Sequence, residues 1–365
     1  MSHNSVALSL NNKPVITVST TGASLTAAPF YTYGPQYGAI GVDDTIITYN
    51  NAIENLSIFP GNIGVTSMTF DNLEAMTGSY VNVNQPLDIT LTNINFPVLK
   101  YLNSFNFTSI YKPNFNFPAL QYLGNFNIAN ASSGSLGMTT LSFPELLYVG
   151  TFSVASNSAT ITSVNFNKLK KMFGNFNLSN TGCPTISFPA LTQSNASLTL
   201  GSNYNLTSVS FPVLFIASSI SIGSNLLTSI SFPQLISINQ FSLAAISPAL
   251  TTISFPELIQ IIGLPNSTPI TISSGQATAL TSISFPKLKN VSTHVSGITI
   301  QGCALTQTAV DNILIKFASL DGTNGTTLFS SKSIIINGGT SATPSATGLA
   351  AKATLVARGC TVTNN

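Results

Sequence analysis

The chain of 365 residues is 44% hydrophobic but carries only 6% Asp, Glu, Lys and Arg, with a net charge of +2, where a typical globular chain is about 25% charged. So little charge gives no electrostatic case for nucleic acid or an acidic membrane surface, and apolar bursts such as LIQIIGL fall far short of the roughly 20 residues that cross a bilayer. Three scattered cysteines, Cys183, Cys303 and Cys360, make neither a disulfide framework nor a CxxC metal knuckle, and buried, idle thiols are expected.

Residues 1–65 form a first segment, β-rich by the alternation in VALSL and VITVST and broken by frequent glycines. Within it YTYGPQYG brings Tyr31, Tyr33 and Tyr37 close together, either as a small aromatic core or as an attachment patch. The opening MSHNSVALSLNNKPV has neither a basic stretch nor a long apolar one, so a cleaved secretion signal is not expected. One job of the segment is to cover the apolar end that a repeat array exposes.

Residues 66–305 repeat one phrase. It reads TSISFPKL from Thr281, TSVSFPVL from Thr207, TSISFPQL from Thr228 and TTISFPELI from Thr251, with weaker copies upstream. Its aromatic recurs at Phe70, Phe96, Phe117, Phe143, Phe166, Phe188, Phe211, Phe232, Phe255 and Phe285, at intervals of 21 to 30 residues. A period in the low twenties predicts a solenoid, here mainly β, right-handed and of about ten turns, with the phenylalanines in an internal column.

Each repeat holds two short alternating runs, the mark of strands with one buried face. In the first run, the residue between the inward apolar pair is always small and polar, from Thr69 and Asn95 through to Ser254 and Ser284. The second run gives a matching outward stripe of Asn106, Asn127, Ser153, Asn177, Thr199, Ser221, Ser242, Thr271 and Thr299, the candidate binding residues. Proline after the phenylalanine turns the chain, and Asn in SNT, GSNYN and GSN supplies the next corner, through left-handed geometry or by satisfying backbone groups. Opposite charges recur one turn apart: Glu74 with Lys100, Glu145 with Lys168, Glu257 with Lys287. Each pair is expected to stack.

Residues 306–365 change pattern to a small α/β cap. TQTAVDNILIKFASLDG spaces Val310, Ile313, Leu314 and Phe317 for a helix, with a Thr N-cap and Gly322 as its stop, and SIIING reads as a strand. TPSATGLAAKATLVARG predicts a second helix with Thr343 as N-cap, Pro344 at N1 and Gly359 past its end, before a final strand CTVT.

Catalytic chemistry has little to work with. Glycoside hydrolysis needs two carboxyls within about 5 to 9.5 Å, yet Glu145 and Glu257 stand five turns apart and Asp43 with Asp44 reads as a solvent corner. His294 lies in VSTHVSG with no acid or cysteine near it in sequence, and no phosphate loop, HExxH or calcium repeat occurs. No catalytic residue, metal site or cofactor is expected, and the chain reads as a non-enzyme.

The repeat LTSISFPxLxxIxxxLxIxxN resembles the bacterial and viral leucine-rich repeats of the BspA-like and receptor L-domain kind, from about Val65 to Leu305. The tail from Gln307 to Asn365 is similar to the closing segment of such proteins in bacteria and bacteriophages. The resemblance implies a leucine-rich-repeat-like solenoid used in adhesins, surface proteins or virion fibres. Of these, the scarcity of charge and the N-terminal residues favour a virion protein, a fibre, tail-associated or head-decorating component. Residues 1–65 would then bind other virion proteins and the solenoid a host surface or glycan, with no nucleic acid or membrane partner and room for a homo-oligomer. A bacterial cell-surface adhesin is the alternative. Ice or crystal-surface binding is a third reading, weakened because the stripes mix Ser, Asn and Thr.

Overall fold

The computed structural model describes residues 93–107, 114–128, 138–155, 161–224, 226–244, 249–273 and 279–365, together with the segments 4–6, 16–20, 37–40, 52–53, 55–58, 65–70 and 73–82. It divides into two compact units, Met1–Cys183 and Pro184–Asn365. Each is a parallel β-solenoid.

In the first unit the phrase forms three-residue strands, Asn93–Asn95, Asn114–Asn116, Thr140–Ser142 and Ser163–Asn165, which pair in parallel and follow Val65–Phe70. An antiparallel hairpin of Asn4–Val6 and Ile16–Thr20 covers the outer edge of Val65–Phe70, so that edge is not an open template for pairing. The longer second run builds another parallel sheet through Ala75–Asn82, Tyr101–Phe107, Tyr122–Ile128 and Tyr148–Ala155, then Lys171–Met172 and Phe176–Ser179. Upstream of residue 65, where the phrase is absent, Tyr37–Ile40 and Asn55–Ile58 join this sheet in parallel.

The second unit repeats the plan. Thr185–Ser187, Ser208–Ser210 and Ser229–Ser231 form one short ladder and Thr252–Ser254 with Ser282–Ser284 another. Gln193–Leu200, Ile216–Gly223 and Ser237–Ala244 lead the long sheet. It continues through Gln260–Ile261 and Ile270–Ser273 to Asn290–Val291 and Gly297–Gln301, and ends in Ser333–Ile336 and Thr361–Asn364.

Between the two runs the chain turns on Phe-Pro-x-Leu. The leucine N–H donates to the phenylalanine carbonyl three residues back, as in Leu146 to Phe143 at 3.2 Å and Leu258 to Phe255 at 3.3 Å, a β-turn in which proline at the second position fixes φ and gives up no needed donor. Thr at the head of the phrase has a matching purpose. The hydroxyl of Thr228 donates to the Thr207 carbonyl (2.9 Å), and that of Thr281 to the Thr251 carbonyl (3.1 Å), tying each coil to the one before.

The expected internal column is present in both units. Rings of Phe70, Phe96, Phe117, Phe143 and Phe166 stack at centroid distances of 4.7, 5.1, 5.5 and 5.6 Å. Those of Phe188, Phe211, Phe232, Phe255 and Phe285 stack at 5.4, 5.3, 5.3 and 5.5 Å. Aromatic pairs are worth about 0.5–1.5 kcal/mol beyond their burial. In the first unit a second column from the long strands, Phe105, Phe126, Phe152 and Phe176, meets the first edge-on, as between Phe126 and Phe143 at 5.4 Å and 86°. In the second unit that column is aliphatic, Leu198, Ile220, Ile270 and Ile298, apart from Phe241.

The asparagine corners are not all left-handed. Asn180 has the left-handed φ of 58°, but in GSNYN it is Ser202 that takes it, at 53°. Asn203 turns inward instead. It is fully buried, and its N–H donates to the Gly223 carbonyl at 3.2 Å.

The tail is the expected α/β cap. Helix α1, Gln307–Ala318, starts at the N-cap Thr306, whose hydroxyl accepts from the Ala309 N–H, and buries Val310, Ile313, Leu314 and Phe317. It stops before Gly322, at the cap Ser319, while Arg358 reaches across to its last carbonyls, donating to Ala318 at 2.8 Å. Helix α2, Ala346–Ala357, corrects the sequence reading: its N-cap is Ser345, two residues beyond Thr343. Asp311 on α1 decides this, accepting from both the Ser345 N–H (2.9 Å) and its hydroxyl (2.6 Å). Gly359, with φ 78°, follows the helix as expected.

Candidate functional site

The outward stripe is a set of aligned columns. Asn106 pairs with Asn127, Asn127 with Ser153 and Ser153 with Asn177 in the first unit. In the second, Thr199 pairs with Ser221, Ser221 with Ser242, Ser242 with Thr271 and Thr271 with Thr299. These side chains are half-buried, each flanked by buried apolar neighbours, since a strand alternates its faces. Part of their polarity is used along the column, where Asn127 Nδ2 donates to Asn106 Oδ1 at 2.9 Å. Beyond Thr299 the register runs to Ile335 and Thr363. Of the tyrosines in the candidate attachment patch, Tyr31 and Tyr33 lie outside the described residues. Tyr37 opens the strand Tyr37–Ile40, opposite Asn55.

Two further sets of residues on the long sheet of the first unit escaped the sequence reading. Tyr101, Tyr122 and Tyr148 share one register position, and their rings run on to Phe173, with centroids 6.5, 5.3 and 6.1 Å apart. Tyr101, Tyr122 and Phe173 are 42%, 44% and 55% exposed. Two residues on from Tyr122 and Tyr148 come Gly124 and Gly150, and Gly174 directly follows Phe173. A Cβ on Gly124 would stand 2.2 Å from the Asn103 carbonyl oxygen, and one on Gly150 2.2 Å from that of Gly124, so only glycine lets the coils approach here. Next stand Ser104, Asn125 and Thr151, again in register. The signal was legible in LKYLNSF, LQYLGNF and LLYVGTF. Sorting residues into apolar-in and polar-out hid it, because tyrosine belongs to both classes.

Six of the charged groups are paired with one another. Each sequence-predicted pair forms, Glu74–Lys100 at 3.2 Å, Glu145–Lys168 at 2.7 Å and Glu257–Lys287 at 2.7 Å, all solvent-exposed. Asp321 accepts from the Thr323 N–H and from the Thr323 and Thr326 hydroxyls, and these bonds hold its carboxyl below the usual range. Exposed His294 lies in a turn where its own N–H donates to the Ser292 hydroxyl. Among the described residues no three His, Cys, Asp or Glu side chains gather as a metal site would require. The three cysteines are free and buried, and burial pushes the Cys183 thiol above its ordinary pKa. A cavity of about 350 Å³ lies beneath α1, between Phe285 and Ile313, but the Lys316 ammonium beside it donates to the Pro286 carbonyl at 2.7 Å. What the described residues of the outward faces present is hydrogen-bonding amides and hydroxyls beside a column of rings.

In both units, leucines and phenylalanines returning at fixed positions of a coil of twenty-odd residues line a core between two parallel sheets. Each unit is a leucine-rich-repeat-like β-solenoid. Neither a scan against protein-family models nor a search of curated proteins finds a match. Among solved structures, the chain is similar to a leucine-rich repeat protein from Bacteroides ovatus at 15% identity, over 78% of this chain and 94% of that one, with a TM-score of 0.29.

Proposed function

We propose that this protein is a recognition scaffold displayed at a surface, an adhesin whose outward sheet faces hold neutral, hydroxyl-rich polymers through many weak contacts. The observation that carries this reading is the register itself: uncharged amide and hydroxyl groups recur once per coil in straight columns. Such groups offer donors and acceptors that salt does not screen, and repetition turns weak single contacts into useful avidity. Residues 1–65 are the segment that fastens the chain to its carrier, 66–305 the part that is displayed and 306–365 its closure.

The carrier is a bacterial envelope or, on the second reading, a phage particle in which residues 1–65 contact other virion proteins. The second reading draws on the 6% charge, since a free particle meets changing ionic strength and a neutral contact face is indifferent to it. Fractionating the native source tells the two apart. Recovery with either the envelope or the particle supports surface display; recovery with neither contradicts it.

A further inference from the structure

The aromatic column gives the ligand class. We propose that Tyr101, Tyr122, Tyr148 and Phe173, with the bare backbone of Gly124 and Gly150 beside them, form a trough for one uncharged, linear glycan running from coil to coil. The inference rests on the surface-recognition reading and narrows it. A sugar ring presents an apolar C–H face and a rim of hydroxyls. On this sheet an apolar strip and hydrogen-bonding groups stand side by side, rings inclined 28–37° to one another along one column and Ser104, Asn125 and Thr151 in the next. Between them no side chain rises from Gly124 or Gly150, because a Cβ there would strike the preceding coil's carbonyl.

Charge chooses among glycans. The strands Tyr101–Phe107, Tyr122–Ile128 and Tyr148–Ala155 contain no charged residue, the nearby Lys100 and Lys168 are bonded to Glu74 and Glu145, and the tyrosine register meets a cation only at Lys171, on the coil after Tyr148. An acidic polymer would lose water from its carboxylates along the column while gaining a counter-charge at the Lys171 end alone. Periodicity favours a polymer over a single sugar, since ring centroids 5.3 to 6.5 Å apart repeat once per coil. A protein partner would need a contiguous apolar patch, and polar columns begin two or three residues from these rings.

The test is affinity electrophoresis of the full chain through gels holding a neutral linear β-glucan, a neutral linear mannan or galactan, or acidic alginate. We expect retardation by at least one neutral polymer, unchanged by added salt. The double variant Tyr122→Ala/Tyr148→Ala should weaken it about tenfold or more and Tyr122→Phe, which keeps the ring, far less, while the control Leu349→Ser, on the exposed face of α2, binds as the parent does. Should the double variant lose its fold by circular dichroism, Phe173→Ser, at the most exposed ring, is read in its place. Retardation by alginate alone, retention that survives loss of the rings, or no retardation by any polymer would each overturn the inference. If the chain still fractionates with its envelope or particle in those cases, surface display stands and only the glycan trough falls.

Discussion

Lys168 Nζ lies 2.7 Å from both carboxylate oxygens of Glu145, the residue at the same motif position one coil earlier. The pair is exposed, so its worth is about 0–1 kcal/mol and screened by salt, but its geometry exists only if the coils stack in register. Glu145→Lys should lower stability by no more than about 1 kcal/mol, with the loss shrinking as salt rises. Adding Lys168→Glu should restore it. A urea-denaturation cycle of the two single variants and the double measures this; a swap that recovers nothing would mean the two side chains do not meet.

The ring columns should dominate stability. Phe211 is fully buried, with Phe188 and Phe232 on either side at 5.4 and 5.3 Å. Phe211→Ala removes both stacks and opens a cavity, for an expected cost of about 3–5 kcal/mol. Phe215→Ala, four residues on but 41% exposed, should cost well under half of that. Comparable losses for the two in chemical denaturation would contradict the assigned core.

Gly150→Ala sets a Cβ 2.2 Å from the Gly124 carbonyl oxygen, a backbone atom that cannot step aside alone. The strain should destabilise the first unit by about 1–3 kcal/mol. Gly325→Ala is the contrast: no atom crowds its Cβ, and only its φ of 75° opposes the change, for about 1 kcal/mol. Thermal melting of the two variants compares them directly.

Lys332 gives the C-terminal cap a pH signature. It is 5% exposed, and its ammonium donates to the carbonyls of Thr293 at 2.9 Å and Val295 at 3.0 Å. Burial lowers its pKa, with Cys360 opposing the shift. A lysine whose folded pKa lies below its unfolded value of about 10.4 binds its proton more tightly when unfolded. Stability from this group therefore rises as pH climbs from the depressed pKa toward the ordinary one, and the full cost of burying the charge is felt below that window. Urea midpoints between neutral and alkaline pH should rise more steeply in the parent than in Lys332→Met; parallel profiles would contradict the assignment.

The coil was legible because its signals are short-range and periodic. Alternation around Phe232 or Phe255 has only one reading once the phrase repeats, and Pro after Phe names its own turn. The charge pairs followed from the same period. What escaped depends on contacts far apart in sequence. Thr343-Pro344 has the form of a helix start, yet Asp311 on α1 holds Ser345 and sets the cap there. The strands at Tyr37–Ile40 and Asn55–Ile58 lack the phrase altogether and are recognised only by their partners. The tyrosine column was hidden because Leu102, Leu123 and Val149 already fill the inward positions beside it.

Disulfide trapping reads the register of the outward face directly. Ser221 and Ser242 are register partners on adjacent coils, while Thr271 follows Ser242 one coil later. Adjacent coils sit about 4.8 Å apart, within the roughly 4.4–6.8 Å between Cα atoms that a disulfide spans; two coils are roughly twice that and out of reach. Oxidation of Ser221→Cys/Ser242→Cys should give an intramolecular cross-link in the folded chain, and Ser221→Cys/Thr271→Cys should give none. Cross-linking of the skipped pair, or its absence in the adjacent one, would contradict the stacking on which both the neutral columns and the aromatic trough depend.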